Sequence, residues 1–467
     1  MVGQTSLGTE IKATLLRLTR HVAILEIYTP TPGIRASEVF DELKIVVGNR
    51  TVYLGRAVVR SLLDVGSRFV CEVALEENAW VPAEISAESF TGEKLVSEFN
   101  NFLREWQKLY RVVPEFKVVI ADMQTYLTEL QLWLDQIEMK LRATLPAGAP
   151  LENELVNQLA GPAIRSIDAF IEQFEAIVTG LDPELHPVHR GYLRRHLHPL
   201  LLGAPFADRA FRKPLGYAGD YEMVDMMLRT PDDSGSLFTK IINLWLLGQA
   251  PAEAHRNRVI YLYERLFTEG MRVCGLGRGL RVYNLGCGPA VEVQQFIRDC
   301  DFSREAFFTL VDFNEETLRH LKEKLDGIQK RSRRGATVQI IKKSVQRILM
   351  ESVKPTDRPP DEQYDLVYCA WLFDYLPQPV CKRAMNILYD LVAPGGLLLA
   401  TNVSDVMNTS RPFRYSMEYL LDWHLIYRDR QSLADLAPLA AAPDDVAVIA
   451  ESTGVNVFIE VRKPLHA

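Results

Sequence analysis

The sequence predicts a multidomain α/β protein: a small N-terminal β-barrel, a central helical arm and a C-terminal Rossmann-like sheet. Three observations carry this. From residue 258 onward, strand-like apolar runs alternate with amphipathic segments, the βαβ rhythm of a doubly wound parallel sheet. Residues 10–80 read as β-branched runs broken by turns. Between these two regions, large apolar residues recur at spacings of four and three, as on one face of a helix. A length of 467 residues suits two or three such units.

In the first unit, residues 1–85, "KIVVGNRTVYLGRAVV" sets Gly48 and Asn49 between two β-branched runs, a hairpin signal, and "RFVCEVALE" adds a further strand. The outline resembles a PilZ domain, a barrel that in some proteins binds cyclic di-GMP through an RxxxR arm and a D/NxSxxG strand. Here "LRLTRHVAI" (16–24) stands where the second motif would be, and no clear arm precedes it. The resemblance is therefore to a degenerate PilZ-like barrel.

The second unit, 95–200, carries a heptad stripe: Phe102, Trp106, Leu109, Val113, Phe116, Ile120, Met123, Leu127, Leu130, Leu134, Ile137 and Leu141. Pro114 predicts a kink or a restart, and "LPAGAP" (145–150) a turn. A second seam follows at Ile164, Ile167, Ile171, Phe174 and Leu181. Two antiparallel helices can bury these stripes against each other. The alternative is an interface between copies, and a homodimer through the helical region is the expectation. Residues 201–257 read as a connector to the last unit, 258–467, with its runs "LRVYNLG", "FFTLVD", "TVQIIKKS", "YDLVYCA", "GGLLLATN", "VAVIAES" and "NVFIEVRK".

Composition excludes several classes of function. The formal net charge of −7 argues against a nucleic-acid partner, despite the basic run "QKRSRRG" (329–335), which reads as a solvated loop. Cysteines 71, 274, 287, 300, 369 and 381 form no CxxC pair, against a zinc site or a disulfide framework. The start "MVGQTSLGTEIKATLL" lacks the pattern of a secretory signal, and no apolar run is long enough to span a bilayer. A reduced, cytoplasmic protein is expected. His186, His189, His196 and His198 crowd one stretch, but without a carboxylate–histidine spacing typical of metal sites, so no metal is expected.

The chemistry lies in "RVYNLGCGPAVEV" (281–293), a strand running into a glycine turn. A dinucleotide fingerprint needs GxGxxG, and here its third glycine is Val291. Pro289 removes one N–H that a phosphate would use. No GxxxxGK[ST] loop occurs. The turn at Gly286, Cys287 and Gly288 suits a ligand that lies close to the backbone and carries no phosphate, such as S-adenosylmethionine. Asp312, at the end of the next strand, can accept hydrogen bonds from both ribose hydroxyls. Phe313 is placed to pack on adenine, and Ser344 and Val345, after the third strand, to meet its edge.

"VYNLGCGPA", "LVDFNEE", "YDLVYCAWLFDYL" and "APGGLLLATNV", in this order, resemble a class I S-adenosylmethionine-dependent methyltransferase. The resemblance implies cofactor contacts at Asn284, Gly286, Cys287, Gly288, Asp312, Phe313, Ser344, Val345 and Ala370. Asn284 replaces the acid that often meets the methionine ammonium, and Ala290 replaces a third glycine. "RKPLGYAGDYEMV" (212–224) reads as a lid that supplies the missing anion, with Tyr217, Asp220 and Tyr221 facing the methionine end. The arrangement is similar to a bacterial group of 3-hydroxypalmitic acid methyl ester synthases, which make a quorum-sensing signal. That implies methylation of a fatty-acid carboxylate, a small lipid-like acid.

A carboxylate acceptor is ionised at neutral pH and needs no general base. An alcohol or amine acceptor gains from one, and the candidates are Asp374, His424 and Tyr427. Trp371, Tyr375 and Trp423 are candidates for an apolar acyl pocket, and Arg194, Arg195 and Arg212 for carboxylate anchors. The stretch after the fourth strand reads "CAWLFDYL" rather than the Asp/Asn/Ser-Pro-Pro-aromatic motif of amino-methylating DNA enzymes; "DRPPDEQY" (357–364) precedes that strand. Two alternatives stay open: O- or N-methylation of another small molecule, and a cofactor-binding regulatory protein without turnover.

Overall fold

The computed structural model describes residues 2–5, 10–27, 34–47, 50–64, 69–81, 96, 99–100, 111–144, 153–229, 235–332, 335–351, 363–404 and 413–465. The Gly48–Asn49 turn, the 145–150 turn, most of the "DRPPDEQY" segment, Arg333 and Arg334 of the basic run, and the stripe residues Phe102, Trp106 and Leu109 lie outside these residues.

The N-terminal sheet has strands β1 (Val2–Thr5), β2 (Glu10–Lys12), β3 (Thr14–Leu18), β4 (Val22–Ile27), β5 (Val39–Val47), β6 (Arg50–Asp64) and β7 (Phe69–Leu75). Their order is β2-β1-β5-β6-β7-β4-β3, antiparallel throughout. β2 and β3 are separated only by Ala13, so one run pairs first with β1 at one edge of the sheet and then with β4 at the other. Alternate residues such as Leu25, Ile27, Leu43, Ile45, Val59, Cys71 and Val73 fill its interior.

Helix α1 (Pro114–Thr144) begins at the proline, where the missing N–H costs nothing. It packs against α2 (Asn153–Thr179), α3 (His186–Leu201) and α6 (Leu237–Leu247). Phe116, Ile120, Met123, Leu127 and Leu134 of the first stripe are buried there, with Ile167, Ile171 and Phe174 of the second. Fully burying such side chains contributes about 1.5–3 kcal/mol each. The described part of the heptad stripe is thus covered by this chain's own helices, and the case for a dimer no longer rests on it. α4 (Pro205–Arg212) and α5 (Tyr221–Leu228) complete a connector that is mostly helical.

α7 (Ala250–Cys274) packs on the C-terminal unit through Leu262, Leu266 and Val273, ahead of its first strand. The sheet then runs β8 (Arg281–Leu285), β9 (Phe307–Asp312), β10 (Thr337–Lys342), β11 (Tyr364–Cys369), β12 (Val392–Val403), β13 (Val446–Ala450) and β14 (Asn456–Arg462), in the order β10-β9-β8-β11-β12-β14-β13. The first five strands are parallel and β14 returns antiparallel between β12 and β13. The strand order reverses between β8 and β11. In such sheets the crevice for a ligand opens beyond the carboxyl ends of the strands at that point.

Candidate functional site

A cavity of about 270 Å³ opens at that crevice. β8 runs directly into its floor. Gly286 and Gly288 adopt φ of +69° and +51°, left-handed conformations that favour glycine, and Ala290 follows at +46°. The N–H groups of Gly286 and Cys287 donate to Val311 O (2.8 and 3.0 Å), tying the turn to β9. α8 (Val291–Asp299) starts immediately after Ala290. Asp312, at the end of β9, accepts from Gly288 N at 3.1 Å and from Asn314 N at 2.9 Å. Burial raises its pKa, while these two bonds and the charge of Arg35 oppose the rise.

The cavity wall includes Tyr217, Tyr221, Asn284, Gly286, Cys287, Gly288, Asp312, Phe313, Ser344, Val345, Ala370, Trp371 and Tyr375. These thirteen sequence-predicted residues come from segments spread over more than 150 positions, and the fold brings them together. The lid segment behaves differently from expectation. Asp220 is 1% exposed, caps α5 through Met223 N at 3.0 Å and takes both bonds of the Arg209 guanidinium Nε (2.9 and 3.0 Å). It is absent from the cavity wall because its helix-capping and ion-pair partners point it inward. Tyr217 lies instead against Phe313, with ring centroids 5.2 Å apart, and Tyr221 donates to Glu316 at 2.9 Å.

The carboxyl group beside Asn284 is that of Glu292, in the first turn of α8. It accepts from Asn284 Nδ2 (3.3 Å) and from Tyr368 OH (2.7 Å), and burial raises its pKa. Asn284 Oδ1 is buried and takes no hydrogen bond among the described residues. Sequence reading missed Glu292; its position eight residues after Asn284, one helical turn past the glycines, was the available signal.

Two further residues come from α7. Arg258 is 2% exposed, with its guanidinium 3.5 Å from the centre of the Trp371 ring and bonded to His255 Nδ1. Its Nη1 and His255 Nε2 are buried without a hydrogen-bond partner among the described residues. Burial lowers the Arg258 pKa to about 9 against the pull of Asp374, and holds His255 well below its usual range. Both side chains line the cavity.

Trp371 and Tyr375 form a wall shared with a second, apolar chamber of about 50 Å³, lined also by Met227, Phe413, Met417 and Trp423. Trp371 Nε1 donates to Gly219 O at 2.8 Å, and Trp423 Nε1 to Tyr375 OH at 3.0 Å. A Cβ on Gly219, whose φ is +73°, would lie 3.0 Å from both Trp371 Nε1 and Tyr375 OH. The loop bearing this wall is fixed from behind by Arg428, which donates to Phe373 O and Leu376 O (2.7 and 2.6 Å).

The three general-base candidates are placed apart from one another. Asp374 faces the apolar chamber, but its Oδ1 accepts from Val403 N at 2.6 Å. His424 belongs to neither cavity wall. It is buried beside Asp422 (3.3 Å) and Glu418 (3.8 Å), and burial lowers its pKa to about 4. Tyr427 is outside both walls too, beneath the Arg414 guanidinium at 4.5 Å. Residues 413–424 pack on α3 and the N-terminal sheet, away from the glycine turn, through Tyr419 O with Arg194 and His424 with Ser37. The arginines expected as anchors have other partners: Arg194 pairs with Asp422, Arg195 with Glu77, and Arg212 with Asp208. His186, His189, His196 and His198 each bond a protein group, and among the described residues no cluster could hold a metal.

Residues 282–396 match the methyltransferase domain family. The protein is an S-adenosylmethionine-dependent methyltransferase, with S-adenosylmethionine as its cofactor. A comparison with curated proteins finds no match. Among solved structures, it is similar to a possible exported protein from Bordetella parapertussis at 16% identity, covering 65% of this chain and 97% of that one with a TM-score of 0.43. It is also similar to magnesium protoporphyrin IX methyltransferase from Synechocystis PCC 6803 (12%, 45% and 84%, 0.32). A third is the N-methyltransferase NodS from Bradyrhizobium japonicum WM9 (12%, 44% and 97%, 0.28). These likenesses are distant, and the functional reading rests on the domain match and the cavity. No helix among the described residues is long and apolar enough to cross a membrane.

The cavity's chemistry fits the cofactor. Asp312 suits ribose hydroxyls, Phe313 and Val345 an adenine, and Asn284 Oδ1 with Glu292 an ammonium group.

Proposed function

We propose that the protein methylates the carboxylate of an acyl acceptor, in the manner of the fatty-acid methyl ester synthases its sequence resembles. The observation that carries this is Arg258, a buried guanidinium with an unused Nη1 donor, set against the wall of an apolar chamber. A buried guanidinium with a donor left over favours an anion, and the apolar chamber beyond Trp371 calls for a hydrocarbon. When bound, the cofactor supplies a methyl group already activated on sulfur. The chain's own residues then align and shield. Asn284, Gly286, Cys287, Gly288, Asp312, Phe313, Ser344, Val345 and Ala370 hold the cofactor; Glu292 meets its ammonium group; Arg258 orients the acceptor carboxylate; Trp371, Tyr375 and Trp423 exclude water from the acyl end. An acid ionised near pH 4–5 needs no base at neutral pH, so Asp374, His424 and Tyr427 need not act as one. The chamber of about 50 Å³ admits only the start of a chain; a longer one displaces Met227 and Met417, whose unbranched side chains adapt easily.

The same reading keeps four units, 1–85, 95–200, 201–257 and 258–467, the first PilZ-like. It also keeps a homodimer through the helical arm, now supported by Val118, Leu132 and Met139, exposed at heptad intervals on α1 beside Trp133.

The test is Arg258→Met with a series of saturated fatty acids. Wild type should show a KM that falls as the acid lengthens, and the variant a KM at least tenfold higher with unchanged affinity for S-adenosylhomocysteine. Weaker cofactor binding with an unchanged KM would assign Arg258 to the cofactor's own carboxylate and remove the support for an acid acceptor.

A further inference from the structure

One wall of the cofactor cavity comes from outside the methyltransferase sheet. Arg35, just ahead of β5 in the N-terminal sheet, lines the cavity with its guanidinium 4.2 Å from the ring centre of Phe313 and 4.4 Å from that of Tyr217. Its Nε is buried without a hydrogen-bond partner among the described residues. The backbone around it is bonded to the cavity's own frame. Ala36 N donates to Tyr375 O at 3.4 Å, and Val39 N to Gly216 O at 3.0 Å. Ser37, fully buried, donates from Oγ to His424 O at 2.8 Å and accepts from His424 N at 2.6 Å. Ser37 has φ +62°, a conformation that costs a side-chain-bearing residue about 1–2 kcal/mol and persists because its surroundings fix it.

We propose that Arg35 is a cofactor-binding residue delivered by the N-terminal sheet, closing the adenosine end of the cavity, so that cofactor occupancy and docking of the sheet are thermodynamically coupled. A planar cation set close to two aromatic ring centres, with a spare donor, suits the π-face and polar edge of an adenine nucleoside. A ligand that contacts both units binds their docked arrangement more tightly than any other, and by linkage docking raises its affinity by the same factor. The N-terminal sheet is then a part of the binding site through which a change in that sheet reaches methyl transfer. The inference uses the cofactor alone and stands whether or not the acceptor is an acid.

The experiment titrates full-length wild type, Arg35→Ala and Arg35→Lys with S-adenosylhomocysteine by calorimetry, and follows amide hydrogen exchange of residues 34–47 with and without it. Wild type should show slower exchange at Ala36 and Val39 when S-adenosylhomocysteine is added. Arg35→Ala should bind at least tenfold more weakly and lose that protection, while Arg35→Lys, which keeps the charge but not the planar group, should fall between. Equal affinity in Arg35→Ala would overturn the proposal, as would exchange at Ala36 and Val39 that ignores the ligand in wild type.

Discussion

Glu38 should make this protein less stable as pH rises from acid to neutral. Its carboxyl is 2% exposed and accepts from Arg35 N at 3.1 Å; burial pushes its pKa from an ordinary 4.5 to about 7, against the lowering charge of Arg35. Between these two values the folded chain holds a proton that the unfolded chain has released. Stability therefore falls as pH climbs through this window. At about 1.4 kcal/mol per pH unit, the interval from 4.5 to about 7 makes the ionised side chain cost about 3 kcal/mol above pH 7. Glu38→Gln keeps an acceptor for Arg35 N and removes the charge. Urea unfolding should find the variant more stable than wild type by about 2–3 kcal/mol at pH 8 and nearly equal to it at pH 4.5. An equal difference at both pH values would refute the reasoning, since it would show that size or polarity, and not ionisation, separates the two side chains.

Asp312→Ala should weaken S-adenosylhomocysteine binding by about 2–4 kcal/mol, the worth of charge-assisted bonds to a ribose; calorimetry at unchanged affinity would place the ribose elsewhere. Wild type should scatter light as a dimer at about 20 μM, on the order of the concentration at which micromolar interfaces form, and Trp133→Glu with Met139→Glu should convert it to monomer. A monomeric wild type would show that the exposed stripe on α1 has no partner of its own kind.

The strands of the C-terminal sheet were legible because each holds a short apolar run alternating with amphipathic segments, and the glycine turn because Pro289 and Val291 depart from the phosphate-binding pattern. Asp312 followed from its place at a strand end. What escaped were residues whose meaning depends on packing. Arg258 and His255 sit on a helix that reads as an ordinary amphipathic segment, and only the fold shows that their faces meet Trp371. Arg35 is more than 270 positions from Phe313 in the chain, beyond any local pattern. His424 and Tyr427 were misplaced because aromatic and charged residues on a segment after the fifth strand look alike whether they line a pocket or brace a domain contact. Asp220 carried a legible signal that pointed elsewhere: an Asp directly before "YEMV" is a helix N-cap.

The bonds between Ser37 and His424 join positions 387 residues apart. A ribosome makes the N-terminal sheet first, and at about 5–20 residues per second the partner for Ser37 emerges tens of seconds later. During that interval the sheet can close its own ladder, since all its strands lie within the first 75 residues. Its Arg35 edge gains its partners in chain order, Gly216 and Tyr217 first, then Phe313 and Tyr375, and His424 last. The bonds that lock Ser37 are thus among the last contacts of the cavity's frame to be completed in synthesis, and a chain truncated before residue 424 would carry a finished glycine turn with Ser37 lacking its His424 partner.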